Sequence, residues 1–264
     1  MHVLILLLAL QTTEPKPLKW DPKVHPALMI ALGSYWVVTE TALKDNLAPP
    51  GCRWCATNGF DDGIRHAFVP EGRLNLSGKS TADTVSNLTL IASPVLLMAL
   101  DALYAWRAGG DWKDWLLDVT LMMEASFAAM AVNQTAKFIA GRERPFVSSL
   151  SPSMKAATDQ PDDNDLSFFS GHATFTASFA AAAGAIALLR GYQHPWIAWL
   201  LGGALSLTTG MLRMAADKHY FTDVATGWVV GAGIGLAVPL LFHDSGSNVS
   251  VAPGPNGVGI AARW

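Results

Sequence analysis

A chain of 264 residues, 51% hydrophobic and only 15% charged, carries more apolar surface than a soluble domain needs and points to a membrane. Its net charge of -3 offers no basic field to a polyanion, which excludes nucleic acid as a partner. The length suits one large domain, and no Pro/Gly/Ser linker divides it into two self-sufficient apolar halves.

Val3 to Leu10 is a short apolar run without a positive flank and with a poor cleavage site, so residues 1–23 read as an N-terminal segment with a weak signal-peptide character. Pro26 to Leu43, apolar apart from Glu40, reads as a first helix. A long polar loop from Lys44 to Thr81 follows and holds the two cysteines, Cys52 and Cys55. A zinc site wants two more ligands nearby and a redox motif wants a βαβ context, so a local disulfide is the preferred reading, with two free thiols as its alternative. Leu88 to Trp106 is a second apolar helix, interrupted by Asp101, and Trp115 to Ala140 a third, carrying Asp118, Glu124 and Asn133. Charges at such depths are costly in lipid, so this third helix faces the interior of a bundle.

Phe146 to Leu166 is a loop rich in Ser, Pro and Asp, and three uncharged runs come after it: Ala173 to Leu189, Trp196 to Leu212 and Val224 to Phe242. Each approaches the roughly 20 residues that cross a bilayer. Their small residues, as at Ala180 to Ala185 and Gly231 to Gly235, suit close helix packing in a membrane, the alternative being core helices of a soluble bundle. The Gly/Pro/Asn-rich tail, residues 244–264, is expected to be disordered. The predicted fold is all-α, a six-helix membrane bundle over residues 24–243. Sequons at Asn75 and Asn87 decide nothing, and the composition is silent on oligomeric state.

The chemistry clusters in three places. Lys137 and Arg144 are seven residues apart, but Pro145 pushes Arg144 out of helical geometry. The helix should fray near Gly141, leaving Lys137 on its last turn and Arg144 just beyond, both able to reach one anion. Ser170-Gly171-His172 stands where a loop meets an apolar helix, and helix starts present unpaired N–H groups to anions. Arg213 is followed by His219 and Asp223, the latter pair four residues apart, a spacing that lets a carboxylate hold one imidazole nitrogen and leave the other reactive. Each has a plain structural reading when taken alone: a dipole-matched helix end, an N-cap and turn, a helix-surface ion pair. In combination they describe a phosphate site.

Lys-x6-Arg-Pro, then Ser-Gly-His, then Arg-x5-His-x3-Asp resembles the three-part signature of the type 2 phosphatidic acid phosphatase superfamily, which includes lipid phosphate phosphatases and vanadium haloperoxidases. Phe169 stands where the family usually has proline, and Leu212 where it usually has serine. The resemblance implies that Lys137, Arg144, Ser170, Gly171 and Arg213 bind the phosphoryl oxygens. It implies that His219, oriented by Asp223, attacks phosphorus, and that His172 protonates the leaving oxygen and then activates water. It further implies a metal-independent phosphatase acting on a lipid phosphate monoester or diphosphate, with no cofactor and no metal site. The alternatives are a vanadate-dependent haloperoxidase and a non-catalytic lipid-phosphate binder or transporter. Six crossings would place all three motifs, Cys52 and Cys55 on one membrane face, expected to be the periplasmic side of a bacterial inner membrane. A soluble or peripheral periplasmic protein is the alternative location.

Overall fold

The computed structural model describes residues 14–69, 80–246, 249–254 and 257–262, the last two stretches by their backbone. The expected N-terminal run at Val3 to Leu10 and the sequon at Asn75 lie outside the described residues.

Local signals set the helix ends. Helix α1 is Val24–Thr41, and α2, Gly59–Phe68, begins at Asn58, whose side chain accepts the Asp61 N–H. Helix α3, Thr81–Arg107, starts at Ser80, whose hydroxyl accepts the Asp83 N–H at 3.1 Å. Helix α4, Trp112–Ala140, opens on a reciprocal capping box between Asp111 and Asp114 and stops at Gly141, which takes φ 53°, a left-handed conformation that favours glycine. Helix α5 is Gly171–Arg190, capped by Ser170 and closed by Gly191 at φ 73°. Helices α6, Trp196–Ala215, and α7, Phe221–Val238, complete the bundle, and α7 runs on through a π turn at Pro239–His243.

Helix α5 is the axis. It is buried almost throughout, and α4, α6, α7 and α3 pack around it. Its alanines and the glycines of α7 let two backbones nearly touch: a Cβ at Gly231 would stand 2.4 Å from the Thr174 carbonyl oxygen, and one at Gly235 would stand 2.3 Å from that of Ser178. Gly231→Val is therefore expected to cost at least about 1–3 kcal/mol through overpacking. Gly233→Val, which meets open space, is the control. Thermal unfolding in detergent reads the difference, and equal melting temperatures would refute the close approach.

Among the described residues, five helices are long and apolar enough to cross a membrane: α3, α4, α5, α6 and α7 with its π turn. Their outer faces expose Ile91, Val95, Ile139, Leu200 and Val229, an apolar girdle suited to lipid. The expected six spans are thus corrected to five. Helix α1 has 18 residues and lies along the bundle, but His25, Pro26, Thr39, Glu40 and Thr41 dilute its apolar character. The polar residues of α4 face inward as expected: Asp118, Glu124 and Asn133 are buried, and Asp118 accepts from Arg190 Nε at 2.7 Å and from the Tyr192 hydroxyl at 2.8 Å.

The tail differs from the expected disorder. Val249–Gly254 (β1) and Gly257–Ala262 (β2) pair as an antiparallel hairpin. Valines and an isoleucine at alternate positions supply the strand pattern that the glycine content obscured.

Candidate active site

The C-terminal end of α4, the N-terminal ends of α3, α5 and α7, and the C-terminal end of α6 meet at one end of the bundle. They enclose a pocket of about 760 Å³. Lys137, Arg144, Gly171, His172, Arg213 and His219 all line it, so residues spread from position 137 to 219 converge on one cavity. Its other wall is apolar, formed by Trp36, Leu90, Met130 and Phe175 from four different helices.

Lys137 occupies the last turn of α4, and the chain reverses at Gly141 and becomes extended at Arg144 (φ -73°, ψ 148°) ahead of Pro145. This is the frayed geometry that the proline dictates. The Arg144 guanidinium is then fixed by three groups: Nε donates to the Asp163 carbonyl at 2.8 Å, Nη1 to the Lys218 carbonyl at 3.1 Å, and Nη2 pairs with the Asp163 carboxylate at 2.8 Å. Arg213, on the last turn of α6, donates to Asp83 at 2.5 Å and to Ser86 at 3.2 Å. Both arginines are buried and pre-aimed.

His219 is the best-defined group. Its Nδ1 donates to the Ser167 carbonyl at 2.8 Å, which fixes the tautomer and leaves a lone pair on Nε2. That Nε2 lies 3.3 Å from Arg144 Nη1, in the cationic part of the pocket. The expected direct hold by Asp223 is corrected: its carboxylate is 3.8 Å from Nδ1, too far for a hydrogen bond. Asp223 is instead engaged by the Ser167 hydroxyl at 2.6 Å, the Tyr220 N–H at 2.9 Å and Arg142 at 2.5 Å. It orients the imidazole through Ser167, by holding the residue whose carbonyl receives the ring.

Burial, and after it Arg144, Arg213 and Lys137, push the His219 imidazole well below its ordinary pKa. A lowered imidazole pKa means a neutral, nucleophilic ring on the acid side of neutrality. Once substrate ionisation is divided out, kcat/KM should therefore show no acid limb near the usual imidazole value of about 6.5. A limb at that value, absent in a His219 variant, would contradict this.

Gly171 opens α5 beneath the pocket, where a Cβ would stand 3.2 Å from Asn133 Oδ1 and 3.7 Å from Lys137 Nζ. A side chain there would enter the space an anion needs. Ser170 is buried, caps α5 and does not line the pocket, so its part lies in shaping the helix start more than in direct contact. His172 Nε2 is 2.7 Å from Asn87 Oδ1, a residue of α3 that the sequence offered only as a sequon.

Acidic partners temper the cations. Lys44 pairs with Glu40 at 2.5 Å and approaches Asp163 at 3.7 Å. Burial alone would raise the Asp163 carboxyl, but Arg144, Lys137 and Lys44 outweigh it and hold the group far below the usual carboxylate range. Lys218, also on the pocket wall, is pushed down to about 8 by burial and then by Arg144.

Sequence reasoning passed over Arg142. It is almost wholly buried, stacked between the rings of Trp54 (4.1 Å) and Tyr220 (4.3 Å). Nη1 donates to Asp223 at 2.5 Å and to the Thr222 hydroxyl at 2.7 Å, and Nη2 donates to Asp61 at 2.7 Å. Asp61 also receives the Thr222 N–H at 3.0 Å, so α2 is tied to the start of α7. Cys52 and Cys55 form a disulfide with Cα atoms 5.4 Å apart. Their loop lies against motif one: the N–H groups of Arg53 and Trp54 donate to the Gly141 carbonyl at 2.9 and 3.2 Å, and Glu143 N–H donates to the Trp54 carbonyl at 3.1 Å. The polar loop after α1 thus shares the end of the bundle that holds the pocket.

Comparison with known proteins agrees with the motif reading. The model of the PAP2 superfamily matches residues 117–247. Among solved structures, the chain is similar to a transmembrane PAP2-type phosphatidylglycerolphosphate phosphatase from Bacillus subtilis, at 18% identity and a TM-score of 0.47, over 81% of this chain and 93% of that one. No curated protein matches.

Proposed function

Residues 117–247 of this chain belong to the PAP2 superfamily, and from that premise we propose that the protein is a membrane phosphatase acting on a lipid phosphate monoester or diphosphate through a phosphohistidine. The observation that carries this is the His219 Nε2, left without a proton by the Ser167 carbonyl and accepting from Arg144 Nη1, in a pocket lined also by Lys137 and Arg213 and by apolar side chains. The cations suit a phosphate and the apolar wall suits the chain attached to it.

In this scheme Lys137, Arg144 and Arg213 hold the phosphoryl oxygens, and charge developing on them is met by fixed, buried cations. Nε2 attacks phosphorus, the P–N bond forms, and the P–O bond to the lipid breaks as the leaving oxygen takes a proton from His172. Water then gives a proton back to His172, its oxygen bonds to phosphorus, and the P–N bond breaks to release phosphate. The three side chains supply the positive charge that a metal ion would otherwise bring. Vanadate, which can adopt the trigonal bipyramidal shape of the transition state, should inhibit strongly while EDTA leaves turnover intact. Loss of turnover in EDTA with recovery on adding magnesium would end the metal-independent scheme.

A panel of phosphatidate, phosphatidylglycerol phosphate, a polyprenyl diphosphate and a lipid A phosphate, assayed for phosphate release on purified protein, tests the function and selects the substrate. Release from none of them, or halide oxidation with vanadate and peroxide, would overturn the reading. We place the pocket on the periplasmic side of a bacterial inner membrane. Supporting this, the disulfide lies at the pocket's end of the bundle, and disulfides persist in oxidising compartments. After reduction, an impermeant maleimide should label Cys52 and Cys55 in intact cells; labelling only after lysis would reverse the orientation.

A further inference from the structure

The pocket leaves one buried polar cluster unused. His25 at the start of α1, Glu124 in α4 and His243 at the end of α7's π turn are all buried, and their ligand atoms lie within 4.8 Å of one another. Glu124 and Lys137 are thirteen residues apart on α4, which at 1.5 Å per residue puts the cluster about 20 Å from the Lys137 end of the pocket.

The hydrogen bonds in the cluster do not close. His243 Nδ1 donates to the Lys19 carbonyl at 3.0 Å, so in the neutral ring Nε2 carries a lone pair. That Nε2 is wholly buried, has no hydrogen-bond partner, and faces Glu124 Oε2 at 3.7 Å. Two acceptors therefore confront one another with no proton between them, where two helices long and apolar enough to cross a membrane meet. His25 Nδ1 approaches the same carboxylate oxygen at 3.1 Å. Donor atoms around a tetrahedral ion bound at about 2.1 Å stand roughly 3.4 Å apart, and the 3.1 and 3.7 Å separations from Glu124 Oε2 bracket that spacing.

We propose that His25, Glu124 and His243 form a binding site for a divalent transition-metal ion, zinc best matching two imidazoles and a carboxylate, that fastens the N-terminal segment and the end of α7 to α4. The Lys19 carbonyl plays the outer partner that metal-bound histidines take, fixing the tautomer and orientation of His243. Binding frees His25 Nδ1 of the proton it shares with Glu124, which goes to solvent from an imidazolium and to the ring's own Nε2 from a neutral imidazole. The ligands come from sequence positions 25, 124 and 243, which is why a search for metal spacing along the chain finds no site. The role is structural, so it stands apart from the metal-free scheme at the phosphate pocket.

The test is calorimetric titration of metal-stripped, full-length protein in detergent with zinc alone, and with cobalt to read its visible ligand-field bands. One zinc per chain is expected, with a rise in melting temperature and a tetrahedral cobalt spectrum. His243→Ala and Glu124→Gln should each weaken zinc at least about a hundredfold and abolish both signals. Glu124→Gln, which keeps the shape of the side chain, should retain turnover below its melting temperature and so report a folded protein. Wild-type protein that takes up no zinc, or zinc uptake unchanged in both variants, overturns the site; the cluster is then an imidazolium–carboxylate pair.

Discussion

His219→Ala is expected to lower phosphate release at least about 10⁴-fold and to remove the acid-labile phosphoenzyme altogether. The size of the effect follows from the geometry. The Ser167 carbonyl leaves the proton-free Nε2 of His219 among the cations, where it accepts from Arg144 Nη1 at 3.3 Å, whereas His172 is anchored to Asn87 at 2.7 Å. Binding should survive, since Lys137, Arg144 and Arg213 remain, and vanadate affinity measured by calorimetry reads that separately. His172→Ala gives a contrasting signature. With an aryl phosphate, whose leaving group needs no proton, the first step proceeds and the second lacks its base, so labelled phosphoenzyme should accumulate. Labelled phosphate still attached to the His219→Ala protein would move the nucleophile elsewhere.

Much of this site was legible in the chain because its chemistry lies in short motifs. Lys137 and Arg144 flank a helix end that Gly141 and Pro145 announce, and the structure has that end, with Gly141 left-handed and Arg144 extended. Long apolar runs gave the helices of the bundle, and Gly231 and Gly235 gave the close contact with α5. What escaped is what only packing creates. Asp83 and Ser86 reach Arg213, and Asn87 reaches His172, from α3, and nothing in a run of small polar residues at a helix start distinguishes such partners from caps. Asp163 was one of several loop carboxylates, and only the fold brings Arg144, Lys137 and Lys44 around it. The His219–Asp223 spacing was read as a direct contact, whereas the first turn of α7 draws the carboxylate to its own Tyr220 N–H and hands the imidazole to Ser167. Arg142 was hidden for a simpler reason: it stands between two motif positions, and its partners, Trp54 and Asp61 of the short helix α2, come from a stretch that reads in the sequence as a polar loop.

Arg142→Ala carries the largest expected loss of stability. Removing the guanidinium leaves the Asp61 and Asp223 carboxylates buried with no cation between them, and breaking a buried pair from one side costs about 3–5 kcal/mol. Arg142→Lys should not rescue it. One ammonium cannot reach Asp223 and Asp61 from the two arms of a fork, nor lie flat between Trp54 and Tyr220. Activity should fall with stability through a traceable route. Arg142 holds Asp223, Asp223 holds the Ser167 hydroxyl, and the Ser167 carbonyl fixes the His219 tautomer. In a variant that still folds below its melting temperature, kcat should therefore drop more than KM rises, because Lys137, Arg144 and Arg213, the cations proposed to bind phosphate, are untouched. Adding Asp61→Asn to Arg142→Ala removes one of the two stranded charges and should restore part of the melting temperature without restoring kcat, since Asp223 is still unanchored. An Arg142→Lys protein that melts and turns over like the wild type would show that the fork and its stacking do not govern the nucleophile.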